Sequence, residues 1–175
     1  MSETEIHWWS TIETAQRIAA KEVSSREVLE HMIDRADRLD GSINAIIQHD
    51  LDRARATADA ADAAIAAGQP LGRLHGVPMT VKDSFQTEGC ITTSGAPELA
   101  NFIPLEDADP VARLRDAGAV IWGKTNLPIW AGDIQSYNEV YGTTLNPFNP
   151  DRTCGGSSGG SAASLAMGFT SLEVG

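Results

Sequence analysis

Seven residues, Gly155-Gly156-Ser157-Ser158-Gly159-Gly160-Ser161, gather the side chains best suited to covalent chemistry in this 175-residue chain. Four glycines permit positive φ and close backbone approach, at an entropic cost on folding. The serines between them can donate and accept hydrogen bonds with no neighbouring bulk to shield them. Ala162-Ala163-Ser164-Leu165-Ala166-Met167 follows as a helix-forming run closed by Gly168. The serines therefore sit on a tight turn that feeds a helix N-terminus, where free N–H groups and the dipole favour developing negative charge. A Gly/Ser linker would lead into polar sequence, and a phosphate loop would end in Gly-Lys-Ser/Thr; neither description fits. On pattern alone, a reactive-serine loop and a purely structural turn both stay open.

A reactive serine needs a base, and two lysines stand at the ends of apolar runs. In Leu74-His75-Gly76-Val77-Pro78-Met79-Thr80-Val81-Lys82-Asp83 the alternation of Val77, Met79 and Val81 reads as a strand, with Pro78 near its beginning. Lys82 then lies at the strand's C-terminal end, on the face opposite Val81. Read by itself it is an exposed strand-end lysine with Asp83 as a surface partner. Lys124, after the apolar run Ala119-Val120-Ile121-Trp122-Gly123, is its rival.

The elements that must position these groups are mostly visible. Residues 1–70 read as helical. Ser10-Thr11-Ile12-Glu13 and Ser24-Ser25-Arg26-Glu27 fit capping boxes. Val28, Leu29, Met32, Ile33, Ala36 and Leu39 mark one helical face, and Leu51, Ala54, Ala58, Ala61 and Ile65 form a narrower stripe that ends at Gly68. Trp8-Trp9 reads as an anchor on the body of the protein, and His31 and His49 as surface residues. Asp109-Pro110-Val111 offers an N-cap with proline at the first helical position, and Gly118 closes that helix. Strand, helix and strand in this order predict a crossover unit of an α/β sheet within residues 71–175. Between Leu127 and Asn149, Trp130, Asp133, Gln135, Tyr137 and Tyr141 suit either pocket lining or an ordinary surface loop, and an Asn146-Pro147 turn leads into the serine loop.

The glycine–serine run resembles the Gly-Gly-Ser-Ser-Gly-Gly-Ser motif of the amidase signature family, whose members hydrolyse amides with a serine–serine–lysine triad. Gly76-Val77-Pro78 with Val81-Lys82-Asp83 resembles the segment bearing that family's lysine, and Gly123-Lys124-Thr125-Asn126 a supporting segment. These motifs stand in family order, and the likeness runs from about Ile12 to Gly175. The resemblance implies an α/β fold with a mixed sheet flanked by helices. It makes Lys82 the base and Ser157, preceded by a cis peptide bond, the relay serine. Lys124 takes a structural ion-pairing or hydrogen-bonding role, while Ser158 and Ser161 hold the loop and cap the helix. Substrate contacts fall to Ser158 and to the backbone of Ala131, Gly132, Asp133 and Ile134, near the acyl pocket. No metal and no organic cofactor is needed.

By the same resemblance, the nucleophilic serine and the oxyanion donors belong to an Asp-Ile/Thr-Gly-Gly-Ser segment that would begin just past Gly175. The chain is then expected to be the N-terminal part of a truncated amidase domain, inactive by itself. Ser171 lacks a glycine elbow and is rejected as a substitute, and the strand after Val120 is expected to lose its neighbours. One branch of the family supplies ammonia from glutamine to tRNA-bound glutamate. It has Met-Asp-Glu-Phe-Ala-Met where this chain has Leu127-Pro128-Ile129-Trp130-Ala131-Gly132, so this segment looks closer to the general amide hydrolases. The glutamine-using branch, and a non-catalytic domain that binds through an apolar sheet edge, are the alternatives.

Composition bounds these readings. Hydrophobic content of 42% and charged content of 21% are ordinary for a soluble globular chain. A net charge of −11 argues against nucleic acid as a direct partner, since phosphate binding needs a basic face. Cys90 and Cys154 have no metal spacing and suggest a reducing, cytoplasmic setting without disulfides. Met1-Ser2-Glu3-Thr4-Glu5 shows no secretory signal, and no apolar run approaches a membrane span. The expected partner is a small-molecule amide, with a homodimer left open.

Overall fold

In the computed structural model, which describes residues 6–175, helices α1 (Thr11–Ala19), α2 (Ser25–Leu39) and α3 (Leu51–Ala66) pack on one face of a small sheet. The acidic N-terminal pentapeptide lies outside the described residues. At Ser24 the capping box is complete: its side chain accepts from the Glu27 amide, and the Glu27 carboxylate accepts from the Ser24 amide. Ser10 accepts from the Glu13 amide, but Glu13 turns to Arg17 instead of reaching back. Asp62 of α3 takes the free amides of Ser25 and Arg26, so one helix satisfies the orphan donors of its neighbour. Val28, Leu29, Met32, Ile33 and Ala36 of α2 are buried, as their spacing predicts.

The helical reading of residues 1–70 missed a strand. β1 (Ile46–His49) runs antiparallel to β3 (Val120–Thr125) and draws the N-terminal segment into the sheet, so residue 70 is not a structural boundary. With β2 (Pro78–Lys82) and β6 (Glu173–Val174) the order is β1-β3-β2-β6, and β3, β2 and β6 are parallel. The crossover helix α4 (Asp109–Asp116) joins β2 to β3 as expected, although its cap is Ala108 and Asp109 is already helical. β3 is interior and the edges are β1 and β6, contrary to the exposure expected of β3. A two-residue pair, β4 (Tyr137–Asn138) and β5 (Gly142–Thr143), stands apart.

One irregularity decides what each sheet face presents. Met79 pairs with Ile121 but Thr80 pairs with Gly123, so β3 carries one extra residue, Trp122, opposite β2. Beyond this bulge Val81 and Lys124 share one face, while Lys82 and Thr125 share the other. Val120 and Trp122 join the core under α2 and α3; Met79, Val81 and Ile121 join a second core with Val111 of α4. Helix α5 (Gly159–Ala166) packs near the ends of β2 and β3. No helix among the described residues is long and apolar enough to cross a membrane.

Candidate active site

Lys82 leaves the end of β2 with only 6% of its surface exposed, and its Nζ donates to Ser157 Oγ at 2.8 Å and Ser158 Oγ at 2.9 Å. Burial lowers its pKa, while the negative charge of Glu173 pulls the other way. Among the described residues Lys82 makes no ion pair. The strand-end lysine is thus buried against hydroxyls, and Asp83 is not its partner.

The loop that carries the serines is shaped by contact on both sides. Gly155 has φ +87°, a conformation side chains rarely adopt, and the Gly156–Ser157 peptide is cis. A Cβ at Gly156 would fall 2.7 Å from the Ile134 carbonyl carbon and 2.8 Å from the Asp133 oxygen. At Gly160 it would collide with the Asn126 amide nitrogen. The glycines let the loop thread between the 133–135 backbone and the end of β3. Helix α5 begins inside the motif, at Gly159, which puts Ser161 in its first turn instead of before it. Ser158 occupies the cap position, but its side chain makes no capping bond and accepts from Lys82 Nζ instead.

Ser136, which carried no signal in the sequence, pins this loop. It is fully buried, accepts from the Gly159 amide at 2.9 Å, and donates to the Gly155 carbonyl at 3.2 Å. Before it, Ile129–Ala131 form a 3₁₀ turn in which Trp130 and Ala131 have φ of 52° and 56°, unusual for side chains of this kind. Gly132, Asp133 and Ile134 follow on the surface, and Asp133 Oδ1 accepts from the Ile134 amide at 2.6 Å. This segment reaches the serine loop through the Asp133–Gln135 backbone. Ala131 is half-buried in the strained turn, and Gln135 accepts from Thr153 beside the loop.

Lys124 sits on the other face of the sheet, completely buried. Its Nζ pairs with Asp83 Oδ1 at 3.2 Å and donates to the Phe85 carbonyl and Thr92 Oγ1, both at 2.8 Å. Burial lowers its pKa and the Asp83 charge opposes this. Asp83 Oδ2 accepts from the Thr93 amide and hydroxyl, so the network ties residues 83–93 to β3. Ser171, the rejected nucleophile, gives its carbonyl to Thr11 and is remote from this cluster in its bonding. His31 bonds His7, and Trp9 rather than Trp8 is the buried member of its pair. Cys90 and Cys154 are free thiols.

Comparison with known proteins follows the same outline. Residues 27–175 match the family described as Amidase. A glutamyl-tRNA(Gln) amidotransferase subunit of Corynebacterium jeikeium (strain K411) is 42% identical over 168 residues, 95% of this chain and 34% of its own length. A solved structure described as a vestigial protein complex that reveals the evolutionary origins of an s-triazine catabolic enzyme superposes with a TM-score of 0.91. It is 39% identical over 95% of this chain and 37% of its own. A fatty acid amide hydrolase superposes with a TM-score of 0.90, at 31% identity over 99% of this chain and 31% of its own. The chain spans about a third of the length of these relatives. Since the family match takes in Lys82, the whole glycine–serine loop and well over half of the sequence, this chain belongs to the amidase signature family.

Proposed function

We propose that this chain supplies the base and the relay serine of an amide hydrolase. Lys82, when neutral, takes the proton of Ser157 as Ser157 takes that of a nucleophilic serine encoded beyond residue 175. The nucleophile's oxygen bonds the amide carbonyl carbon; the proton returns through Ser157 to the leaving nitrogen as the C–N bond breaks. Water then hydrolyses the acyl-enzyme. A free lysine, with a pKa of about 10.4, is almost wholly charged at neutral pH, so the base must be buried enough for desolvation to favour its neutral form. The observation that carries the reading is the 2.8 Å approach of Lys82 Nζ to Ser157 Oγ in a buried setting where no described residue forms an ion pair with it. Gly175 lies against Ser158, where a Cβ would meet its Oγ at 2.8 Å, so a segment continuing from there starts beside the serine pair.

The test compares residues 1–175 with a chain extended through the nucleophile segment, each incubated with aliphatic and aromatic amides while ammonia or amine release is followed. The extended chain should turn over. The shorter one should not rise above background, a difference of about 10⁶-fold if loss of the nucleophile acts as in other serine hydrolases. Turnover by residues 1–175 that disappears with Ser171→Ala would overturn the assignment.

A second reading, that the amide is the side chain of glutamine and the ammonia serves tRNA-dependent transamidation, draws on the 42% identity to a glutamyl-tRNA(Gln) amidotransferase polypeptide. The 127–132 segment favours the general hydrolases. Glutamine hydrolysis that rises when partner proteins of such a transamidation complex are added would favour the second reading.

A further inference from the structure

One half-buried carboxyl on the lysine's face of the sheet has no part in the relay described above. Glu173 pairs in register with Thr80 on β2, and its side chain crosses to the strand beyond. Its Oε2 accepts from Thr80 Oγ1; its Oε1 accepts from Thr125 Oγ1 of β3 at 3.1 Å and from Ser161 Oγ of α5 at 3.2 Å. The Thr125 and Ser161 hydroxyl oxygens lie 2.9 Å apart, so either can turn its hydrogen to the other instead. Thr80 lies two residues before Lys82 on the same face, and Thr125 is the residue directly beside Lys82 on β3. The carboxyl therefore ties together β6, β2, β3 and the first turn of α5, the four elements that frame the lysine and its serines.

We propose that Glu173 is a positioning residue acting through Lys82: it pins Thr80, Thr125 and Ser161 around the lysine and supplies the negative charge against which the ammonium forms when Lys82 takes up a proton. This rests on the proposed relay. In that relay Lys82 passes from neutral amine to ammonium within a buried site, and such a charge is stabilised chiefly by an opposite charge nearby. The groups facing Glu173 leave few other sources. β2 brings Lys82, β3 brings Lys124 from the opposite face, and α5 brings only hydroxyls. Burial pushes the Glu173 carboxyl up to about 7, against the pull of its hydrogen bonds, and its charge opposes the downward push of burial on Lys82. The charge state of Glu173 thus biases the charged form of Lys82, and the two titrations are linked.

The experiment measures the pH dependence of kcat/KM and kcat in the extended, active chain for the wild type, Glu173→Gln, Thr125→Val and Lys82→Ala. Glu173→Gln keeps the shape and removes the charge. Lys82 should then lose its proton more readily, moving the acid limb down by about one pH unit, while the plateau falls about tenfold because the ammonium is less stabilised. Thr125→Val loosens the clamp and keeps the charge, so the plateau should fall a few-fold with the limb unmoved. A Glu173→Gln limb that superposes on the wild type, with Lys82→Ala inactive, would overturn this inference and leave the relay standing. Lys82→Ala with wild-type acylation would remove both. If Glu173→Gln does not fold, pH-dependent labelling of the Lys82 amine in the wild type replaces it. Titration in two steps supports the pairing, and a single step overturns it.

Discussion

Lys82 and Lys124 are two buried lysines at the ends of adjacent parallel strands, and their surroundings could hardly differ more. Lys124 has a carboxylate at 3.2 Å, a carbonyl and a hydroxyl, all tied to residues 83–93. Lys82 has two serine hydroxyls and, among the described residues, no ion pair. A buried ammonium with a hydrogen-bonded counter-ion is held charged, and removing either partner strands the other. A buried amine among hydroxyls can exist in both forms, since a serine oxygen can accept its proton or offer one. Burial alone does not separate a base from a strut; the partners do. The bulge at Trp122 keeps the two apart, because without it strict alternation would turn Lys124 toward Lys82's face.

The largest effect that could break the contrast lies on the Lys82 side. In the extended chain, Ser157→Ala should lower acylation by about 10³-fold or more, as expected for loss of a proton-transferring group. Ser161→Ala removes the hydroxyl that contacts both Glu173 and Thr125 and should cost far less. Stopped-flow release of an aromatic amine would check both, and equal small losses would take the relay role from Ser157. On the other side, Lys124→Met should act on folding. It leaves Asp83 buried without its counter-charge, a cost of about 3–5 kcal/mol in urea unfolding. Activity per folded molecule should change by less than about tenfold. A stable Lys124→Met protein that had lost acylation would exchange the two roles.

Much of this contrast can be read from the sequence, but not all. The strand ending in Lys82, the crossover helix and the second strand follow from alternation, proline placement and glycine stops, which are local signals. The capping box at Ser24 is likewise written in four consecutive residues. β1 escaped because Ile46–His49 is too short to show a period and gains its ladder from β3, which is distant in sequence. The partner of Lys124 escaped for a related reason. Asp83 adjoins Lys82 in sequence yet alternates to the opposite face, where Lys124 meets it. Which face each lysine takes depends on one extra residue in β3, and periodicity cannot reveal that. Ser136 and Glu173 lay in segments whose composition gave no sign of what they would touch.

The proton held by Lys82 is the centre of the proposed chemistry, and one measurement reaches it: single-turnover acylation of the extended chain by a chromogenic amide, comparing Lys82→Ala with Lys124→Ala. Circular dichroism and urea unfolding would normalise each rate to folded protein. Lys82→Ala should fold and fail to acylate, with a loss of about 10⁴-fold, at the upper end for a positioned base. Lys124→Ala should unfold more easily and acylate in proportion to what remains folded. A folded Lys82→Ala protein that acylates at the wild-type rate would contradict the assignment of Lys82 as the base.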